Sequence, residues 1–316
     1  MRFGLYLSLQ HPVERDVRQV MTERVELVRL VRDLGFDSVL CGQHFLVPPD
    51  VFMLQPVPVL GRIAAEADGM QIGTSILIST LLNPVEVAEN ALTLAAMSTQ
   101  PFLLGVGLGY RPEEDAAFGV PEQRVRHFAE KLRVLHDLLD GTPVTAEGAG
   151  YRLDGATVSL RVEPRPQLHV AATTPAGARR AGRVGDGWIA STTVPLREIA
   201  ALDAAFRETR GGPGTSLPVL RDVVVRATDE EARELAKPFL EPPPPPPGSS
   251  AAFKPDVDAE GAYLIGSPKT VIAKLRALAE AGVDHVVFRP QRPGLSLERA
   301  KETLRILASD VVPAFR

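Results

Sequence analysis

Three short stretches carry residue types that could do chemistry. The first is Gly42-Gln43-His44-Phe45, which follows directly on an apolar run at 37–41. An imidazole there can exchange protons near neutral pH; a loop histidine that is merely hydrogen-bonded is the plain alternative. The second is Ala172-Thr173-Thr174-Pro175-Ala176-Gly177. It sets two hydroxyls at a helix start, where free N–H groups and the helix dipole favour an anion such as a phosphate. Gly177 would let a ligand approach the backbone, whereas N-capping by Thr174 would explain the same residues. The third is Gly105-Val106-Gly107-Leu108-Gly109-Tyr110. Alternating glycines at a strand exit let a flat ligand or a phosphate tail lie on the backbone, or simply allow close packing. The acidic run Glu113-Glu114-Asp115 reads as a solvated loop that starts a helix.

Other chemistries lack their residues. The six histidines are His11, His44, His127, His136, His169 and His285, and none forms an HxH pair or an HExxH motif, so no metal site is expected. Cys41 is the one cysteine, which excludes an intrachain disulfide and fits a reducing cytoplasm. No GxSxG elbow is present, and no strand exit offers an obvious carboxylate pair for a glycosidase. With a formal net charge of −4 and no basic patch, nucleic acid is not an expected partner. The opening MRFGLYLSLQHP is only briefly apolar, unlike a secretory signal. The chain nowhere runs apolar for about 18 residues, so no membrane helix is expected.

The elements that must position these stretches alternate. Apolar runs at 2–8, 37–41, 70–78, 102–106, 167–172, 188–191, 220–227 and 284–288 read as eight strands. Helical periodicity separates nearly all of them; Val125, Phe128, Leu132, Leu135 and Leu139, for example, line one face. Three junctions echo one another as helix caps feeding strands: Gly35-Phe36-Asp37, Gly185-Asp186-Gly187 and Gly282-Val283-Asp284. Alternating βα units imply a parallel sheet, and eight of them suggest an α/β fold of (β/α)₈ TIM-barrel type. An open doubly wound sheet is the rival, but no GxGxxG follows the first strand. The whole of 1–316 reads as one domain. A small β-hairpin insertion is expected at 142–166, where Gly and Asp turn signals break the rhythm. After strand seven, prolines 242–247 and Gly248-Ser249-Ser250 mark an irregular segment at 241–262, a surface connector or a mobile lid. In a barrel, chemistry sits at the C-terminal ends of the strands, where the three stretches fall.

Five stretches together resemble the bacterial luciferase-like flavin-dependent oxidoreductases, including deazaflavin-dependent members: LGFDSVLCGQHF (34–45), QIGTSILISTLLNPVEVAENALTL (71–94), LLGVGLGYRPEEDAAFG (103–119), HVAATTPAGARRAGRVGDGW (169–188) and YLIGSPKTVIAKLRALAEAGVDHVVF (263–288). The resemblance implies a barrel, usually dimeric, with a flavin at its mouth. It implies a cis peptide at Ser75-Ile76 supporting the flavin ring, His44 as the catalytic histidine, and Thr173, Thr174 and Gly177 around the phosphate. Gly107, Leu108, Gly109 and Tyr110 would lie along the flavin tail. Leu108 stands where luciferases carry a phosphate arginine, and Arg111 is a possible substitute. The implied function is an FMN-dependent monooxygenase: a small organic substrate, O₂, and reduced FMN supplied by a separate flavin reductase. The alternatives are hydride transfer with coenzyme F420 and a non-catalytic flavin-binding paralogue.

Overall fold

The computed structural model describes residues 1–240, 263–292 and 295–316; the lid expected at 241–262 lies outside them. Nine strands form one sheet: β1 (Arg2–Tyr6), β2 (Ser38–Cys41), β3 (Gln71–Ile78), β4 (Leu103–Gly107), β5 (Gln167–Ala171), β6 (Gly187–Ile189), β7 (Pro218–Val225), β8 (Tyr263–Gly266) and β9 (His285–Arg289). Their spatial order is β6-β5-β4-β3-β2-β1-β9-β7-β8, and every pairing is parallel. Eight of these strands match the apolar runs of the sequence. The ninth, β8, pairs only with the far half of β7, from Asp222 onward. An isolated parallel bridge joins Ala190, just past β6, to Val219 in β7.

The helices are α1 (Val17–Asp33), α2 (Pro56–Ile63), α3 (Pro84–Ala96), α4 (Pro112–Ala117), α5 (Arg124–Leu139), α6 (Pro175–Val184), α7 (Leu196–Arg210), α8 (Asp229–Leu240), α9 (Pro268–Glu280) and α10 (Leu297–Ile306). Three of them start alike. Asn83, Thr174 and Ser267 each cap their helix with a side-chain oxygen, and each precedes a proline at the first helical position. The aspartates of the three glycine junctions also have a common purpose. Asp37 accepts from the Phe3 amide at 2.7 Å, Asp186 from Leu168 at 2.8 Å, and Asp284 from Leu217 at 2.7 Å. Each aspartate thus ties the start of one strand to its neighbour. Gly35 and Gly282 take the left-handed conformation expected of a helix cap, but Gly185 has φ −87°. Gly185 is needed for space instead, since a Cβ there would sit 2.8 Å from the Ala181 carbonyl.

Most of the apolar core lies between sheet and helices. A separate layer lies on the sheet's other face: Leu40, Leu103, Ile189, Leu220 and Val287, packed with Tyr6, Ile76 and Ala171. That is one residue from each strand except β8. Two small antiparallel pairs stand apart from the sheet. Val144–Gly148 pairs with Tyr151–Ala156, and Gln10–Pro12 pairs with Val51–Met53, a short strand between His44 and α2. Val125 does not join the apolar face of α5; it is 46% exposed.

Candidate active site

His44 follows β2 and Tyr110 follows β4. The Tyr110 hydroxyl lies 3.3 Å from His44 Nε2, and the two rings meet edge to face. On the other side, His44 Nδ1 lies 3.2 Å from Glu114 Oε1. A carboxylate there accepts the Nδ1 proton, which leaves Nε2 as the acceptor for the tyrosine. The His44 side chain is 27% exposed while Glu114 is fully buried. Although the Tyr110 side chain is 69% exposed, its partial desolvation against the site and the nearby Glu114 raise the phenol, which stays protonated as a donor.

Glu114 overturns the reading of its segment as a solvated loop. Pro112 starts the short helix α4, and the helical turn carries Glu114 inward while Glu113 stays outside. Its Oε1 also accepts from the Phe45 amide at 2.7 Å, and its Oε2 is buried without a partner. Arg111 braces the same loop. It donates to the Phe45 carbonyl at 2.7 Å and to the Leu46 carbonyl at 2.9 Å, and Leu46 is held at φ +46°, a region non-glycine residues seldom occupy.

A glutamine pair fixes the loop from below. Gln55 donates to the His44 carbonyl, Gln43 donates to Gln55, and the Ile78 amide donates to Gln43. Gln43 also bonds through its amide to the Ile76 carbonyl. The histidine loop is therefore coupled to β3, where the Ser75–Ile76 peptide is cis. Gly42 permits this approach: a Cβ there would lie 2.5 Å from the Tyr6 hydroxyl and 2.9 Å from the Ser75 carbonyl. Burial pushes the Tyr6 phenol up to about 12.

The space beside the glycines at the end of β4 is filled from within the protein. A Cβ on Gly107 would lie 2.8 Å from the Ile76 side chain, and one on Gly109 would lie 2.6 Å from Ile78. Arg111, engaged by the His44 loop, does not turn toward Leu108. Arg124 does, donating to the Leu108 carbonyl at 3.2 Å. Its Nε is buried without a hydrogen-bond partner, although Asp115 lies 3.1 Å away. A cleft of ≈450 Å³ between α5 and α6 is lined by Arg124, Arg126 and Arg180 among others. Just before α6, Thr173 and Thr174 are exposed, and Thr174 Oγ1 accepts from the Gly177 amide at 3.2 Å. The structure thus brings His44, Tyr110, Ser75 and Ile76 into one linked assembly. Thr173, Thr174 and Gly177 stand apart from it at the start of α6. Glu114, Gln43, Gln55 and Arg124 are the members that sequence reasoning passed over. Among the described residues no group of acidic, histidine and cysteine side chains could hold a metal, and no helix is long and apolar enough to cross a membrane.

These features define a class: an α/β protein with a parallel sheet, whose reactive side chains gather at the C-terminal strand ends. Within that class the family is evident. The profile of a family described as "Luciferase-like monooxygenase" matches residues 1–285, and the chain belongs to that family of oxidoreductases and monooxygenases. An F420-dependent glucose-6-phosphate dehydrogenase from Kineococcus radiotolerans is 29% identical over 306 residues, 89% of each chain. Matches to two proteins of the same name, at 32% and 34% identity, span only 59% and 57% of those proteins. A 4-hydroxyprotoasukamycin monooxygenase from Streptomyces nodosus subsp. asukaensis is 29% identical over 212 residues, 64% of this chain and 55% of that protein. Among solved structures, the monooxygenase RslO1 from Streptomyces bottropensis shares the fold over the full length of both chains, with a TM-score of 0.86 at 22% identity.

Proposed function

We propose that the chain is a coenzyme F420-dependent oxidoreductase acting on a small organic molecule. The scaffold would be a closed (β/α)₈ barrel, its ring completed by the Ala190–Val219 bridge. The layer on the sheet's other face, with one residue from each of eight strands, supports closure. The observation that carries the cofactor assignment is the similarity, over 89% of the chain, to a relative named as F420-dependent. This reverses the order in which FMN and F420 stand on sequence alone.

The residues present fit a flavin or deazaflavin with an anionic tail. The ring would rest against Ser75 and Ile76, beside His44 and Tyr110. The tail would run along Gly107, Leu108, Gly109 and Tyr110 toward Thr173, Thr174 and Gly177. Arg124, which reaches the Leu108 carbonyl and pairs with Asp115, would supply the charge missing at Leu108. Once bound, such a cofactor supplies the hydride exchange that no side chain can. His44 Nε2 takes or returns the substrate proton, with Glu114 fixing the tautomer from behind. Tyr110 holds the proton path at the exposed edge of the imidazole.

The FMN-dependent monooxygenase is the second reading, favoured by the 29% identity to 4-hydroxyprotoasukamycin monooxygenase. Titrating the purified protein with F420 and, separately, with reduced FMN decides between them by cofactor fluorescence and absorbance. The expected result is tight binding of F420 and weak binding of FMN. The reverse result selects the monooxygenase. Binding of neither removes both, and the flavin-binding paralogue with them, and leaves a structural paralogue with no turnover.

A further inference from the structure

Tyr6 ends β1 and stands in a row with two charged neighbours. The parallel register that sets Leu5 beside Phe288 carries Tyr6 to Arg289, and Arg289 is paired with Asp222 across β9 and β7. Asp222 is 1% exposed. Its Oδ1 accepts from Arg289 Nε at 2.5 Å and its Oδ2 from Nη2 at 2.9 Å, a two-point fork. The fork fixes the guanidinium 5.7 Å from the centre of the Tyr6 ring. Arg292 Nε comes within 3.9 Å of the same carboxylate, so two cations stand against one anion and the row is positive on balance.

Tyr6 is half-buried, and its ring packs in the layer that holds Leu40 and Ile76. Its hydroxyl makes no hydrogen bond among the described residues, although a shielded donor ordinarily has a partner. A Cβ on Gly42 would lie 2.5 Å from that hydroxyl and 2.9 Å from the Ser75 carbonyl. The hydroxyl thus lies between the loop that carries His44 and the Ser75–Ile76 peptide against which the cofactor ring would rest. A substrate oxygen that exchanges its proton with His44 beside that ring comes to the same place. Burial keeps the phenol protonated, and the Arg289 charge favours donation from it.

We propose that Tyr6 is a further substrate-binding residue, whose hydroxyl donates to the reacting oxygen of a neutral alcohol or carbonyl compound, with Arg289 and Asp222 holding its ring in place. Tyr6 keeps its proton throughout, so the transfer assigned to His44 is unchanged. The inference rests on the strand-end assembly being the active site.

The test uses the full chain, with cyclohexanone as the probe and methylenecyclohexane, of like shape but without the oxygen, as its control. In calorimetric titrations Tyr6→Phe should bind cyclohexanone about threefold to tenfold more weakly than the wild type and the control equally well. The chain has four tyrosines, so with ¹³C at Cζ the Tyr6 resonance is identified by its loss in Tyr6→Phe. Cyclohexanone should move that resonance. A folded Tyr6→Phe, checked by circular dichroism, that binds cyclohexanone as tightly as the wild type overturns the proposal. So does a wild type, free and loaded with F420, in which cyclohexanone moves no tyrosine resonance, whether or not the variant folds. A Tyr6 resonance that answers to F420 and not to cyclohexanone gives the hydroxyl to the cofactor and overturns the proposal as well. The titrations of the free chain need no cofactor. If neither F420 nor FMN bound, the oxidoreductase reading would fail while the cyclohexanone result remained readable.

Discussion

Two polar clusters sit at opposite ends of the same sheet, and each contains histidine. At the N-terminal end, Ser38 Oγ lies 2.7 Å from His285 Nε2, His169 Nε2 lies 3.1 Å from Ser216 Oγ, and Arg2 donates to Gln71 at 2.7 Å. Both histidines are fully buried. A Cβ on Gly4 would collide with Ser38, and one on Gly187 with His169, so the cluster fills its space. Burial pushes His169 down to about 4 and His285 well below the usual histidine range. In the C-terminal cluster Glu114 is buried, whereas His44 and Tyr110 reach solvent. The contrast lies in access rather than residue type. A sealed neutral histidine packs and hydrogen-bonds. One oriented from behind on Nδ1 and open at Nε2 can pass a proton onward.

The largest effect expected from this contrast is His44→Ala, which should lower turnover by about 10²–10⁴-fold. The urea midpoint should stay near that of the wild type, because the side chain is partly exposed. His285→Ala should do the opposite. It leaves a cavity and strands Ser38, costing about 2–4 kcal/mol of stability, while the folded fraction keeps its turnover. Kinetics and urea unfolding on both variants check the pair. A His285 variant as inactive as the His44 one would collapse the distinction.

Glu114→Ala should land between them. It strips the acceptor from His44, the Phe45 amide and Arg111 together, at a cost of about 3 kcal/mol. Turnover should fall too, because His44 loses its orienting partner. Glu114→Gln should restore most of the stability, since an amide oxygen can still accept from Phe45. Loss of stability with unchanged turnover would show that Glu114 holds the loop but does not serve His44.

The sealed cluster also predicts an acid response. An unfolded histidine titrates near 6.5, and His169 in the folded chain titrates near 4. Between those values the unfolded state binds the extra proton, so stability rises with pH there. Above about 6.5 the histidine makes no difference. As pH falls from 6.5 to 4 it withdraws stability, about 3 kcal/mol in all, and His285 acts in the same direction. Urea unfolding at pH 7.5 and at pH 5 should show the loss, and His169→Gln should flatten it. An equal slope in the variant would assign the acid response to other groups.

The sheet was legible because its signals are local. Prolines and cap residues mark Asn83, Thr174 and Ser267 as helix starts, and apolar runs mark eight strands. His44 was legible for the same reason, standing just past one of those runs. Glu114 was not, because three adjacent acids look alike until a helical turn decides which faces inward. Asp222 and Arg289 are separated by 67 residues, and nothing near either one announces the other. The four-residue β8 follows a stretch rich in proline and small residues, and its short apolar run carries no period of its own. Gly107 shows the limit from the other side: the glycine was visible, but its neighbour Ile76 depends on the pairing of β3 with β4.

The smallest effect concerns Thr174, which belongs to neither cluster. Its hydroxyl already caps α6 through the Gly177 amide, so an alanine should cost about 1 kcal/mol whatever else the residue does. That loss cannot distinguish a cap from a cofactor ligand. Thr174→Asp can. Aspartate is at least as good an N-cap, and its charge suits the helix dipole, so thermal unfolding should move by less than about 0.5 kcal/mol. An anionic cofactor tail at the same helix start would meet a like charge, and its affinity should fall several-fold in a fluorescence titration. Unchanged affinity in a stable Thr174→Asp variant would confine Thr174 to the helix and move the anionic tail toward Arg124 and the cleft between α5 and α6.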